Sequence, residues 1–307
     1  MNNDIHSPHD KLFKAAFSQK TSAIGYLRGY LPNDIKQIID FDTLEIYPGD
    51  YVDQALSGSS SDLVYKVQIN CSTAYLYLLF EHQSTPEPMM AYRLLKYMVR
   101  LWEAVFKEQN DLKILPPILP LVLYQGKSVW RSPLNFIDLI DFKQRDLTPY
   151  LPQFQYLLVD LVREEGDAIA GDVYGRVVLH LMKAVAEGTL LKTLELHGGL
   201  IRELLTRDNA LDLLETLFRY TLNTDDSIDI DSLTRVVKAS VNKDTGEFVM
   251  TLAEKLEQQG IKKGMQKGIE DVVLSMLKEG VDIAFISRVT GLSLKAIETL
   301  HANIPAS

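Results

Sequence analysis

Asp62-Leu63-Val64-Tyr65-Lys66-Val67-Gln68-Ile69, Asn70-Cys71-Ser72, Thr73-Ala74-Tyr75-Leu76-Tyr77-Leu78-Leu79-Phe80 and Glu81-His82-Gln83-Ser84 run consecutively, and their reading decides the fold. β-Branched and aromatic residues crowd both apolar runs, as strands prefer. The first run alternates in part, whereas the second is apolar throughout, the pattern of a strand buried on both faces. Asn70-Cys71-Ser72 supplies turn residues, so the two runs predict an antiparallel hairpin. In a hairpin the start of one strand lies beside the end of the next, which brings Asp62 and Glu81 together. Glu81 and Gln83 are two residues apart and share one side of the sheet, leaving His82 on the other.

Working outward, residues 9–31 repeat apolar side chains at three- and four-residue spacing (Leu12, Phe13, Ala16, Phe17, Ile24, Leu27). This predicts one helix, opened by Ser7-Pro8 and ended by Pro32. Residues 41–47 predict a short strand stopped by Pro48-Gly49-Asp50, and the run 57–61 a small polar loop. Downstream, Met90, Leu94, Tyr97, Met98, Leu101 and Val105 line one side of a predicted helix over 89–109. Ile118 to Tyr124 is a continuous apolar run of strand length, and Trp102 and Trp130 read as packing residues. The order helix, strand, hairpin, helix, strand makes residues 1–165 a mixed α/β core. Residues 166–250 read as helical, with Leu-rich stretches at 190–205 and 211–222 and a polar linker at 223–232.

Residues 251–307 have a character of their own. Thr251 and Glu254 form a capping-box signature for a helix start. Gly260, Gly264 and Gly268 then recur at four residues. Helix glycines cost about 1 kcal/mol each against Ala, so the expectation is a closely packed face, a helical linker or a self-association segment. Ile283, Ile286, Val289, Leu292 and Ile297 flank Thr290-Gly291-Leu292-Ser293, the outline of a helix-turn-helix, which small helical hairpins share.

Composition narrows the class of molecule. The chain has 307 residues, 46% of them hydrophobic, which is ample for a packed core. One cysteine, Cys71, excludes an internal disulfide framework and a Cys-based zinc site, which fits a reducing cytosol. The longest apolar run is short and broken by prolines, and no signal-peptide core is visible, so a cytoplasmic protein without a membrane span is expected. Net charge is −9 and the sequence pI about 5.2, which argues against non-specific coating of nucleic acid. The charge is uneven, however. Residues 151–257 hold 11 basic against 19 acidic side chains, whereas residues 89–150 hold 9 against 6. A polyanion-binding surface belongs in the second of these segments.

Two carboxylates converging at a strand end, beside an amide, can form a hard oxygen-ligand site for Mg²⁺. Such an ion lowers the pKa of bound water and neutralises charge on a phosphodiester. Solvated boundary carboxylates would show the same spacing. The strand 75–80, however, runs straight into Glu81-His82-Gln83-Ser84, as a buried strand delivering polar groups to a cleft would.

Several of these stretches together resemble the Rpn recombination-promoting nucleases, a family also labelled as transposases, within the PD-(D/E)XK superfamily. The matching residues are His9-Asp10-Lys11-Leu12-Phe13-Lys14 with Phe17, Ser61-Asp62-Leu63-Val64-Tyr65, and Leu78-Leu79-Phe80-Glu81-His82-Gln83-Ser84. Met90-Ala91-Tyr92-Arg93 with Tyr97, and Pro120-Leu121-Val122-Leu123-Tyr124 before Gly126 and Trp130, continue the likeness. The resemblance implies a restriction-endonuclease-like αβββαβ core and a metal-dependent DNA endonuclease of low sequence preference, acting in recombination. It places the superfamily's metal-binding Asp on Asp62, its second acid on Glu81, and its Lys on Gln83. A neutral amide can position water only through hydrogen bonds, so weak or partner-dependent activity is a second expectation.

Further candidates have two readings each. Asp10 is a third metal ligand or an acid favoured by the helix dipole. Arg93, Lys96 and Arg100 contact phosphate or form a solvated face, with the resemblance favouring contact at Arg93. Lys66 takes over the missing lysine's role or is a surface lysine. His82 supports the site from behind or joins the core, and Tyr124 bonds into the site or packs. No P-loop is present, and no motif speaks for strand transfer. The competing function is a nuclease-derived DNA-binding or regulatory protein acting through its helical tail, with a homodimer formed through the C-terminal helices.

Overall fold

The structure, a computed structural model, describes residues 8–47, 62–82, 85–109, 111–141, 145–165, 168–224 and 228–302. Strands β1 (Ile39–Ile46), β2 (Leu63–Ile69), β3 (Ser72–Glu81), β4 (Ile118–Tyr124) and β5 (Leu157–Asp160) form one sheet in chain order. The pairs β1–β2 and β2–β3 are antiparallel, and β3–β4 and β4–β5 are parallel. The hairpin is present, with Leu63 opposite Leu78 and Ile69 opposite Ser72. Its turn consists of Asn70 and Cys71 at φ 47° and 63°. Two positive φ values suit the twist of flanking strands; Asn accepts that conformation far more readily than Cys.

Parallel pairing of β3 with β4 needs a crossover, and helix α4 (Met90–Glu108) supplies it. The apolar stripe predicted for this helix is buried along its length: Met90, Leu94, Tyr97, Met98, Leu101 and Val105. It packs on Tyr75, Tyr77 and Leu79 of β3 and Val122 and Tyr124 of β4. The even-numbered side of β3 faces helix α1 (Pro8–Phe17), where Phe80 stacks on Phe13 at 4.8 Å. Period two in one strand thus divides the core into two layers.

The single helix expected over 9–31 is two helices, α1 and α2 (Lys20–Tyr30), separated at Ser18 and Gln19. Gln19 takes an extended conformation, and the Phe17 carbonyl accepts a bond from the buried Tyr65 hydroxyl at 2.8 Å. A tertiary bond at the break replaces helical ones, which periodicity cannot reveal. Helix α3 (Asn33–Ile38) and β5 were not anticipated either.

Sequence alone divides the chain near 165 and 250; contacts divide it once, into Met1–Glu247 and Phe248–Ser307. Helices α5 (Val173–Glu187), α6 (Leu190–Leu196), α7 (Gly198–Leu204), α8 (Ala210–Thr224) and α9 (Ile230–Ser240) belong to the first unit, and α5 and α8 pack on α1. Gly25 of α2 permits a close approach here: a Cβ there would sit 2.5 Å from the backbone nitrogen of Asp172. Asp172 caps α5 by accepting from the Gly175 N–H at 2.8 Å.

Helix α10 (Lys243–Lys278) begins eight residues before the expected capping box, with the Asn242 side chain accepting from the Thr245 N–H at 2.8 Å. Thr251 and Glu254 therefore lie inside a helix and start none. In the second unit, Val273 and Leu277 of α10 pack with Ile286 of α11 (Ile283–Thr290) and Ile297 of α12 (Leu294–Ala302). Gly291, at φ 74°, ends α11, so the two-helix outline is present. Within the chain nothing packs closely on Gly260, Gly264 and Gly268: a Cβ at any of the three would meet nothing within 4 Å among the described residues.

The turn gives a direct test. Cys71→Gly relieves the left-handed strain of a non-glycine residue and is expected to stabilise the first unit by about 0.5–1 kcal/mol. Cys71→Val, β-branched at the same φ, destabilises it. Urea unfolding followed by circular dichroism reads both.

Candidate active site

Three elements deliver polar groups to the α4 side of the sheet, near the end of β3. Asp62 immediately precedes β2, and its carboxylate accepts a short hydrogen bond from the hydroxyl of Tyr77 on β3. Tyr77 stacks on Tyr97 of α4 with ring centroids 5.5 Å apart. The Tyr97 hydroxyl accepts from Nε of Arg93 at 3.0 Å, and Arg93 Nη1 pairs with Glu81 Oε2 at 2.7 Å. Asp62, Tyr77, Tyr97, Arg93 and Glu81 thus form one connected cluster. Arg93 feels the negative charge of both Glu81 and Asp62. Burial, followed by the neighbouring Asp62 charge, pushes the Tyr77 hydroxyl well above its ordinary value, so it remains a proton donor.

Period two and helical spacing account for the assembly. Tyr77 and Glu81 are four residues apart on β3 and share its α4 side; Arg93 and Tyr97 are four apart on α4 and lie on one face. Glu81 is only 3% exposed. A carboxylate so deeply placed needs a charged hydrogen-bonding partner, which Arg93 supplies.

The remaining candidates scatter. Lys66 pairs with Glu45 of β1 at 3.2 Å, four residues along β2 from Asp62, or about 13 Å at strand rise. Lys96 is exposed, its ammonium over the Tyr92 ring at 5.1 Å, and Arg100 is half-buried on the same side of α4. Tyr124, opposite Glu81 in the register, is fully buried and packs edge-on against Trp130 at 4.8 Å. Gln83 lies outside the described residues.

Asp10 and His82 meet on the other side of the sheet. His82 Nε2 is 3.4 Å from Asp10 Oδ1, and the His9 ring stacks on His82 at 5.5 Å. His9 Nδ1 is 2.9 Å from the Tyr220 hydroxyl of α8. Asp10 is therefore engaged behind β3, on the face opposite Glu81. The hydrogen bond to Asp10 raises the His82 pKa above 6.5, whereas burial, aided by His82, lowers that of His9 to about 4.

Sequence reasoning missed Tyr77, Tyr97 and Tyr220, although their spacing from Glu81 and Arg93 signals the first two. It also missed Asp160, 6% exposed at the end of β5, which accepts from the Trp130 N–H at 2.8 Å. Among the described residues no group of three His, Cys, Asp or Glu side chains gathers as a metal cluster.

The family model described as "Putative transposase, YhgA-like" matches residues 7–212, which contain the sheet and every residue of this cluster. The chain belongs to the YhgA-like family. Recombination-promoting nuclease RpnA of Escherichia coli (strain K12) is 30% identical over 292 residues, spanning 94% of this chain and 94% of its own. RpnC of the same organism, also named a recombination-promoting nuclease, is 28% identical over 256 residues, 83% of this chain and 82% of its own. Another E. coli K12 relative, named the inactive recombination-promoting nuclease-like protein RpnE, is 26% identical over 302 residues, 96% and 98% of the two chains. No solved structure matches the chain.

Two outcomes follow from the geometry. Arg93→Ala removes the guanidinium from a buried carboxylate and should cost about 3–5 kcal/mol, part of which Arg93→Ala with Glu81→Gln recovers in urea unfolding. The histidines should titrate in opposite senses in an NMR pH series, His82 above 6.5 and His9 near 4. Stability from the His82–Asp10 pair is present below pH 6.5 and lost as pH rises through the folded value; Asp10→Asn removes it. Neutral His9 has the reverse effect, costing stability as pH falls from 6.5 towards 4 because the unfolded chain takes up the proton first.

Proposed function

We propose that the first unit is a restriction-endonuclease-like PD-(D/E)XK core and that the chain is a metal-dependent DNA endonuclease of low sequence preference, linked to recombination. The observation that carries this reading is the clustering of Asp62 and Glu81 with Arg93 on one side of the β2–β3 hairpin. Relatives named as recombination-promoting nucleases along most of the chain support it.

The donor set suits Mg²⁺. Asp62 and Glu81 are hard oxygen donors, and Arg93 pairs with Glu81 and feels the charge of Asp62. Mg²⁺ binds characteristically through one or two carboxylates, completed by waters and substrate phosphate, so a third acidic side chain is not required. Asp62 and Glu81 would hold the ion, which supplies a more acidic bound water and charge neutralisation at phosphate. Arg93 orients Glu81, and Tyr77 does the same for Asp62. Gln83, by its place two residues after Glu81, positions water or phosphate by hydrogen bonds alone. Lys96 and Arg100, on the same side of α4 as Arg93, meet backbone phosphates, which fix position and carry no sequence information. A pair of copies joined through the C-terminal helices would supply two such sites for two strands.

A second reading draws on RpnE, which matches the chain over nearly its full length and is named inactive. In that reading the same cluster binds DNA without cutting it, and the protein acts through its helical tail.

Supercoiled plasmid incubated with the purified chain separates the two. Wild type with Mg²⁺ is expected to nick and linearise it; EDTA, Asp62→Ala and Glu81→Ala should each lower the rate at least 100-fold. Nicking by the double variant equal to wild type overturns the enzyme reading. Absent cleavage with retained, metal-independent shift of the plasmid favours the second.

A further inference from the structure

Glu81 has one carboxylate to serve two cations. Its Oε2 accepts from Arg93 Nη1 at 2.7 Å, deep at the strand end. In the nuclease reading, on which this inference rests, the same carboxylate holds a metal ion. Arg93 also feels the charge of Asp62, the other ligand in that reading. A guanidinium and a metal ion held against one pair of carboxylates repel each other, and burial leaves little solvent to screen them. The two compete for the site unless Arg93 moves out of it.

The surroundings of Arg93 permit that movement. Its Nη1 is bound to a carboxylate on the sheet, whereas its Nε donates to the neutral Tyr97 hydroxyl at 3.0 Å, one turn along its own helix. The guanidinium carbon also lies 5.6 Å from the centroid of the Tyr97 ring. An Arg93 that gives up Glu81 therefore keeps a pivot on α4. Its side chain is already 21% exposed, against 3% for that of Glu81, so the guanidinium has a way to solvent that the carboxylate lacks. Lys96 and Arg100 lie three and seven residues on, on the same side of α4. Turning outward takes Arg93 off the carboxylates and adds a third positive charge to that side. A guanidinium without an anion there is best met by phosphate, which it can bind through two N–H groups.

We propose that Arg93 is an exchangeable plug: it caps Glu81 while the chain lacks metal and DNA, and turns outward to a backbone phosphate when metal binds. Each ligand then favours the arrangement that the other requires. A phosphate that draws off the guanidinium clears Glu81; with an ion on Glu81, the guanidinium is released for phosphate. Metal and DNA binding are thus coupled through one side chain, and the coupling is reciprocal. The same contact keeps metal binding weak in the absence of DNA.

Arg93→Gln decides the matter, because the two affinities must move in opposite directions. Calorimetric titration of the full chain with Mg²⁺, without DNA, should show affinity about tenfold higher than wild type, within the usual range of coupling between sites. Fluorescence anisotropy of a short labelled duplex, in Ca²⁺, should show binding about tenfold weaker, the effect of losing one charge-assisted contact. Mg²⁺ affinity unchanged in Arg93→Gln makes Arg93 a phosphate contact alone, and both affinities lowered make it structural; either result overturns the proposal. Asp62→Asn and Glu81→Gln separate this from the nuclease reading. If they leave Mg²⁺ binding as in wild type, both fall; if they abolish it while Arg93→Gln does not strengthen it, only the plug falls. Should Arg93→Gln fail to fold, the arginine Nε–H signals of the wild-type chain in NMR give the decision. The Arg93 signal, identified by its absence from Arg93→Lys, should shift as Mg²⁺ is added, and a signal that stays fixed overturns the proposal.

Discussion

Burying a carboxylate at the end of a strand that is itself buried on both faces is the constraint on which the rest of this structure depends. Glu81, 3% exposed, needs a charged hydrogen-bond donor there, one whose own protons are also met. Arg93 is that donor because α4 begins nine residues after Glu81 and crosses back over the sheet to start β4. The guanidinium divides its bonds between Glu81 and the Tyr97 hydroxyl, and Tyr97 in turn stacks on Tyr77, which holds Asp62. The crossover helix is thus simultaneously a topological necessity for parallel pairing and the source of the charge that makes the strand end tenable.

β3 imposes a second consequence through its period. Odd-numbered side chains build the Glu81 cluster, while even-numbered ones carry Phe80 and His82 to α1, where Asp10 and His9 wait. Two polar assemblies therefore sit back to back, on the last residue of β3 and on the one that follows it. They differ in kind. One is anionic with a guanidinium at its centre; the other pairs a His of raised pKa with one of lowered pKa, tied by the Tyr220 hydroxyl to α8. The acidic helical region is consequently part of the support for the strand end. His9 links to it directly, and a boundary drawn at the end of the sheet would cut that link.

This arrangement explains which features were legible in the sequence. The hairpin, the α4 stripe and the limits of β4 are local statements of period and turn chemistry, and residues 118–124 needed nothing more. Hairpin geometry put Asp62 and Glu81 at the same end of the sheet, where Tyr77, Tyr97 and Arg93 link them. What stayed hidden depends on tertiary bonds: the helix break at Ser18 and Gln19 is held by a hydroxyl forty-eight residues away, and β5 is four residues long and exists because β4 offers it an edge. The pairing of Asp10 with His82 was hidden for a related reason: which side of β3 the first helix covers is not written in the local pattern.

The tail shows the same limit from the opposite side. Three glycines at four-residue spacing look like a packing device, yet a Cβ on each would enter open space within the chain, whereas a Cβ on Gly25 or Gly29, one pair at that spacing, would come within 2.5 Å of Asp172 or Ala170. Spacing identifies a face; only the neighbouring backbone decides whether that face is used. The charge distribution is subject to the same reasoning. The acidic segment 151–257 does not oppose DNA at the Glu81 cluster merely by adding to a net −9, because screening confines each charge to roughly 10 Å at moderate salt. What matters there is the local set: two carboxylates, Arg93 paired with Glu81, and Lys96 and Arg100 farther along the same helix. In the nuclease we propose, the carboxylates would take the metal ion and the basic residues a phosphate, and the two would have to arrive together.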